Sequence, residues 1–286
     1  MPTHHILFDY LILTKPRLTL LALATALSSF YIGLSNRLEP ALLLNTLLGA
    51  ALVGGGANAL NQYFERNIDA RMKRTEKRPL PSGKLTEKRA LLFGSVLSFL
   101  GVLNLFFFVN PLTGIVGLIT FTTYVFLYTP LKQKTPLNTF IGAVPGAMPC
   151  LIGWTAAAGH LNYKAWVLFL ILFVWQLPHF LAIAWVYRED YKRGGLKMLA
   201  ASDSDGRNTG RQLILYSTLL LALSFLPTLI GITGLLYLTA AIFSGLLFVA
   251  FASYIGTHRL VYAKEFVPIS IFYLAVINIF MLLDKV

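Results

Sequence analysis

The sequence predicts an all-α, polytopic membrane protein of nine transmembrane helices, on three observations. Its 286 residues are 56% hydrophobic and 13% charged, where a soluble domain carries about 25% charged residues. Its apolar residues come in runs near the roughly 20 needed to cross a bilayer. The loops between those runs alternate between basic and nearly uncharged, the asymmetry that orients membrane proteins.

Each span is bounded by a break that the residues supply. The first, 12–36, stops at the Asn-Arg-Leu-Glu-Pro stretch of 36–40, and the second covers 41–65. The third, 90–109, closes at Asn110-Pro111, and the fourth, 112–129, runs to the stretch before Lys132-Gln133-Lys134-Thr135-Pro136. The fifth, 137–158, ends at Gly159-His160, and the sixth covers 163–187. The seventh, 211–231, and eighth, 234–256, are divided between Gly231 and Gly234. His258 to Lys264 precedes the ninth, 266–284. Pro227, Gly245 and Pro268 fall in or beside the last three, where membrane helices tolerate kinks. Residues 1–286 read as a single transmembrane domain.

Basic residues follow spans two, four, six and eight, while the opposite side holds little beyond Arg37, Lys164 and Lys285. The positive-inside rule then puts the N-terminus and both long loops, about 66–89 and 188–210, in the cytoplasm. The net charge of +12 is confined to short loops, so it suits anionic lipid and anionic substrate rather than nucleic acid. Cys150 alone forms no internal disulfide, and no Cys/His cluster suggests zinc or iron–sulfur. The N-terminal residues lack a basic stretch and a cleavage site, so no removable signal peptide is expected. His4 and His5 read as a terminal tail, and His160 and His258 as interfacial loop residues.

The most informative motif closes the second span: Asn61, Glu65 and Asp69, spaced by four, followed by Lys73, Arg74 and Arg78. Helical steps of four rotate by about 40°, so the three oxygen-bearing side chains share one face. Carboxylates beside a dry segment cost several kcal/mol unless paired, so they are seldom idle. Oxygen ligands suit Mg²⁺, which binds through one or two carboxylates plus substrate phosphates. The basic residues suit those phosphates, Arg as a bidentate fork and Lys as a point charge. Lys77, Lys84 and Lys88 read better as lipid-facing cations. The ladder is expected to be a metal–diphosphate site at a membrane surface.

A second acidic cluster, Arg188-Glu189-Asp190-Tyr191, follows the sixth span. Both clusters read as helix C-termini, where the backbone dipole favours cations. Four spans separate them, which hints at a duplicated four-helix unit.

With both clusters in view, the chain resembles the intramembrane prenyltransferases of the UbiA superfamily, and within it the heme-modifying branch. The likeness runs from Thr14-Lys15-Pro16-Arg17 to the last helix. It rests on Asn61-x3-Glu65-x3-Asp69-x3-Lys73-Arg74-Thr75-x2-Arg78-Pro79-Leu80 and on Trp175-Gln176-Leu177-Pro178-His179-Phe180 leading to Asp190. The resemblance implies a nine-helix bundle around a central cavity. It implies Mg²⁺ held by Asn61, Glu65, Asp69 and Asp190 on farnesyl diphosphate, with heme b as acceptor. A vinyl carbon of the heme would take the farnesyl group and then be hydrated, for hand-over to a terminal oxidase pathway. The expected location is the cell inner membrane. Glu65 stands where many members of the superfamily carry Asp, and Tyr187 and Tyr191 fall where the second motif often carries acids.

Ionisation of an allylic diphosphate leaves a cation that water would destroy, so the cavity is expected to be dry and aromatic. Tyr124 and Tyr128 are the first choices for its lining, among Tyr63, Phe64, Trp175 and Phe180. Lys132 is a further candidate for diphosphate. His179 lies inside the sixth span, about 16 Å deeper than Asp190 on a continuous helix. An intramembrane histidine is a functional candidate and a common heme-iron ligand. Two rival readings are prenylation of an aromatic quinone precursor such as 4-hydroxybenzoate and, more distantly, cation transport. The second expects polar groups near the bilayer midplane, whereas the charges here gather at span ends.

Overall fold

Pro16 decides where the first long helix begins. A computed structural model describes residues 6–35 and 37–286; His4 and His5 lie outside the described residues. Helix α1, Ile6–Leu13, ends at Thr14, and Lys15 adopts left-handed backbone (φ 49°) before Pro16 starts α2, Pro16–Gly33. Proline lacks an N–H and suits the first helical turn, so it starts a helix here rather than continuing one. The expected span 12–36 is therefore shortened and preceded by a separate helix of eight residues. At 18 residues, α2 is about 27 Å long, and Thr19, Thr25, Ser28 and Ser29 are buried along it.

The remaining long helices are α3 (Pro40–Asp69), α4 (Glu87–Phe108), α5 (Pro111–Leu131), α6 (Asn138–Ala158), α7 (Tyr163–Val186), α10 (Arg207–Leu229), α11 (Leu235–Thr257) and α12 (Ala263–Leu283). All eight are long and apolar enough to cross a membrane. Eight of the nine expected spans are thus membrane-length helices among the described residues, and the shorter, more polar α2 stands where the first was expected. Two short helices, α8 (Arg188–Gly194) and α9 (Leu199–Ser202), fill the second long loop. Lipid-facing flanks carry large apolar side chains such as Phe107 (71% exposed) and Phe243 (69%).

Helices α2 to α7 follow one another around a ring, which α10, α11 and α12 continue until α12 meets α2 and α7. Small residues set the close approaches, as membrane helix pairs require. A Cβ on Gly56 of α3 would collide with Ser98 and the Gly94 carbonyl of α4. Gly153 of α6 likewise admits the Ala26 carbonyl of α2, so these helices cross tightly on the side away from the long loops. Lys285 ties α12 to the end of α2 by donating to the carbonyls of Tyr31 (2.8 Å) and Leu34 (2.7 Å). The ring is thus pinched at the end away from the long loops.

Two local departures position the site. Helix α3 continues to Asp69, so the whole ladder is helical rather than trailing off near 65. Within α5, Thr123–Tyr128 is π-helical, a distortion that tends to mark functional sites.

Candidate active site

The ladder lies at the loop-side end of α3 and is almost wholly buried: Asn61 is 0%, Glu65 6% and Asp69 1% exposed. Each side chain meets a cation from a different element. Lys15 Nζ donates to Asn61 Oδ1 at 2.8 Å, while Asn61 Nδ2 donates to Thr129 Oγ1 at 3.1 Å. Lys132 Nζ is 2.8 Å from Glu65 Oε1 and sits over the Tyr128 ring, 4.4 Å from its centroid. Arg78 donates to Asp69 Oδ2 at 2.7 Å. Asp69 Oδ1 is buried with no hydrogen-bond partner among the described residues. Arg78 and Lys132 thus pair with the two carboxylates, while Lys15 meets the neutral Asn61 amide.

The second cluster is built otherwise. Helix α7 ends at Val186, Tyr187 leaves helical geometry (φ −104°, ψ 21°), and a new helix starts at Arg188. Asp190 therefore stands in the first turn of α8, where the dipole favours an anion, and not at a helix C-terminus as expected. The break also removes the continuous helix behind the 16 Å depth estimate for His179. Asp190 accepts from the backbone N–H of Lys73 at Oδ1 and of Arg74 at Oδ2, both at 3.2 Å. Arg193 also donates to Oδ1. Burial disfavours its charge, but the Arg193 guanidinium and the two amides outweigh this and hold the carboxyl below the usual range.

Among the described residues, no three of His, Cys, Asp and Glu gather closely enough to hold a metal ion. Of the expected set, Asn61, Glu65 and Asp69 lie at the loop-side end of α3, and Asp190 accepts from amides of the loop that follows it. The exposed Lys73 meets Asp190 through its amide. Arg74 is stacked over Tyr187 and Tyr191, at 5.0 and 5.9 Å from their centroids. The tyrosines that stand where acids were anticipated hold an arginine.

Inside the mouth lies a cavity of about 270 Å³ whose wall includes Thr19, Asn58, Tyr124, Tyr128, Trp175, Gln176, His179 and Phe180. Tyr124 donates to Asn58 Oδ1 at 3.1 Å, and its ring lies 5.5 Å from that of Tyr128. Phe64 is 46% exposed, and Tyr63 packs beside Leu13 and Leu80 under the Arg66 guanidinium. Neither of these two lines the cavity. His179 contacts Ser270 of α12 and stacks on Trp175.

Lys15, Asn58, Thr129 and Ser270 belong to this arrangement without having been singled out as site residues. A lysine at the edge of an apolar span was a usable signal for Lys15. Asn58, three residues before Asn61, shares its helix face. Nothing local marks Thr129 or Ser270, because their partners come from other helices.

The UbiA prenyltransferase family model matches residues 22–277. A protoheme IX farnesyltransferase of Solibacter usitatus is 45% identical over 97% of this chain and 98% of its own length. One from Salinibacter ruber is 44% identical over 85% of this chain and 86% of its own. Among solved structures, a digeranylgeranylglyceryl phosphate synthase superposes with TM-score 0.82 at 20% identity, covering 98% of each chain. A UbiA homologue from Archaeoglobus fulgidus bound to DMAPP and Mg²⁺ does so with TM-score 0.71 at 15% identity, covering 96% of this chain and 99% of that one. With a match across most of its length, this chain belongs to the UbiA prenyltransferase family and is a membrane prenyltransferase.

Proposed function

We propose that the chain transfers the farnesyl group of farnesyl diphosphate to a vinyl carbon of heme b. The observation that carries the donor half is the mouth itself, where Arg78 and Lys132 meet two carboxylates and Lys15 meets the Asn61 amide beside an apolar cavity. The acceptor follows from the relatives that bear the name protoheme IX farnesyltransferase. Breaking the allylic C–O bond sends its electron pair out with the diphosphate. The vinyl π electrons form the new C–C bond. Water then adds at the neighbouring carbon and loses a proton.

Asn61, Glu65 and Asp69 fit Mg²⁺: they are hard oxygen donors on one helix face, and Asp69 Oδ1 is buried without a partner. When bound, Mg²⁺ neutralises charge on the leaving diphosphate. Lys15, Arg78 and Lys132 bind the same oxygens and favour the transition state, where that charge is greatest. Arg74 and Lys73 extend the positive surface from the loop that Asp190 anchors. Tyr124 and Tyr128 turn ring faces toward the allylic cation, and the apolar wall excludes water from it. His179 orients the acceptor. The whole chain acts as one such domain, and its product passes to a terminal oxidase pathway.

Purified protein supplied with heme b, farnesyl diphosphate and Mg²⁺ is expected to give a heme heavier by one farnesyl group and one hydroxyl, and none after chelation. Formation of prenylated 4-hydroxybenzoate with heme untouched would place the acceptor in the other class. The mouth and both long loops are read as cytoplasmic in an inner membrane, on the basic loops that flank them. Reporter fusions at about residue 80 and at Val286 are expected to show opposite sidedness, and matching sidedness would overturn that orientation.

A further inference from the structure

His179 reaches the cavity with its ring already oriented. Trp175, one turn earlier on α7, stacks on it with centroids 5.0 Å apart and planes 19° from parallel. The same indole donates its Nε1–H to the Ser270 carbonyl at 2.7 Å, so α12 braces the stack. His179 Nδ1 lies 2.6 Å from Ser270 Oγ, and Ser270 Oγ lies 2.7 Å from the Val267 carbonyl. A carbonyl oxygen can only accept, so the one Ser270 hydroxyl proton goes to Val267. The arrangement that satisfies all three groups therefore puts a proton on Nδ1, which donates to Ser270 Oγ. Neutral imidazole with its proton at Nδ1 carries a lone pair at Nε2. Nε2 bonds to no described residue, and His179 is part of the cavity wall.

We propose that Ser270 is a positioning residue that fixes His179 as the Nδ1–H tautomer and so presents Nε2 as a ligand to the iron of the acceptor. The proposal rests on the heme-acceptor reading and adds which nitrogen binds and what aims it. Histidines that bind metals almost always donate their second ring N–H to a fixed partner, which sets tautomer and ring orientation. A serine does this without adding charge to a site buried among apolar helices, where an unpaired charge is costly. Trp175 fixes the ring plane and Ser270 fixes the rotation within it. The two constraints together leave Nε2 one direction, and the iron it holds sets where the vinyl groups stand.

The test uses the purified full chain titrated with heme b, read by optical absorption and by the resonance Raman iron–histidine stretch of the ferrous complex. Wild type is expected to show histidine ligation. His179→Ala loses that signature, and added imidazole restores it. Ser270→Ala weakens heme binding about tenfold or more, the usual cost of losing such a partner, and shifts the iron–histidine stretch, while farnesyl diphosphate binding is unchanged. Ser270→Thr, which keeps the hydroxyl, follows wild type. The proposal is overturned if Ser270→Ala keeps the wild-type stretch and affinity, if Ala and Thr impair binding alike, or if His179→Ala keeps the wild-type spectrum. Wild type that binds no heme at all would instead overturn the acceptor reading beneath it.

Discussion

At the end of α3, Glu65 and Asp69 face cations delivered by two other segments, and one Asp69 oxygen is left without a partner. At the start of α8, Asp190 turns both of its oxygens toward backbone amides of the loop that follows α3. Both are buried aspartates beside a membrane-length helix with basic neighbours. The first group keeps one Asp69 oxygen without a partner, whereas both Asp190 oxygens accept from the loop that follows α3. Similar composition therefore serves two purposes, and the difference lies in what each carboxylate faces. A carboxylate that accepts from two amides and a guanidinium is a structural clamp; one with an open, buried oxygen suits an incoming ligand.

The largest effect is expected at Asp69. Asp69→Asn keeps an acceptor for Arg78 but removes the charge, so turnover should fall at least about a hundredfold, in line with losing one electrostatic stabiliser of a transition state. Thermal stability should change little. Near-normal turnover in a folded variant would remove the ladder from the chemistry.

Asp190→Asn sharpens the contrast. It weakens charge-assisted bonds of about 1.5–3 kcal/mol each, so the segment 70–75 should become more open to proteolysis and hydrogen exchange. Turnover should fall about tenfold, less than at Asp69. A loss equal to that of Asp69→Asn with the loop still protected would put Asp190 on the metal and break the comparison. The pH dependence has a definite sign. Because the carboxyl is held below its ordinary 3.8, its contribution is complete above that value and is lost as pH falls through the lowered one. Loop protection in wild type should therefore persist down to about pH 4 and give way only below it, whereas Asp190→Asn shows no such step. A wild-type transition already complete at pH 5 would count against the clamp.

The residues with local signatures were legible from the chain. Runs of apolar residues near bilayer length made nine spans evident, eight of which are membrane-length helices, since a backbone in lipid must satisfy its own hydrogen bonds and a helix is the way to do so. The spacing of Asn61, Glu65 and Asp69 carried the ladder because one helix sets that register by itself. Arg78 and Lys132 were legible as candidates from charge and position alone. The first span was less so: 12–36 looked continuous in hydropathy, and the left-handed Lys15 before Pro16 divides it.

What the sequence by itself determined is therefore whatever one segment decides alone: which stretches are helical, which face of α3 carries oxygen, and which loops carry charge. Only the tertiary structure decided the pairings. Lys15 meets Asn61, Lys132 meets Glu65, Ser270 meets His179, and Asp190 grips the amides of Lys73 and Arg74. Each pair joins residues far apart along the chain, and no local pattern records the close approaches at Gly56 and Gly153 that bring their helices together. The physical reason is range. Hydropathy and helical register act over a few turns, while a carboxylate's role depends on which donors surround it, and only the packing of several helices supplies those.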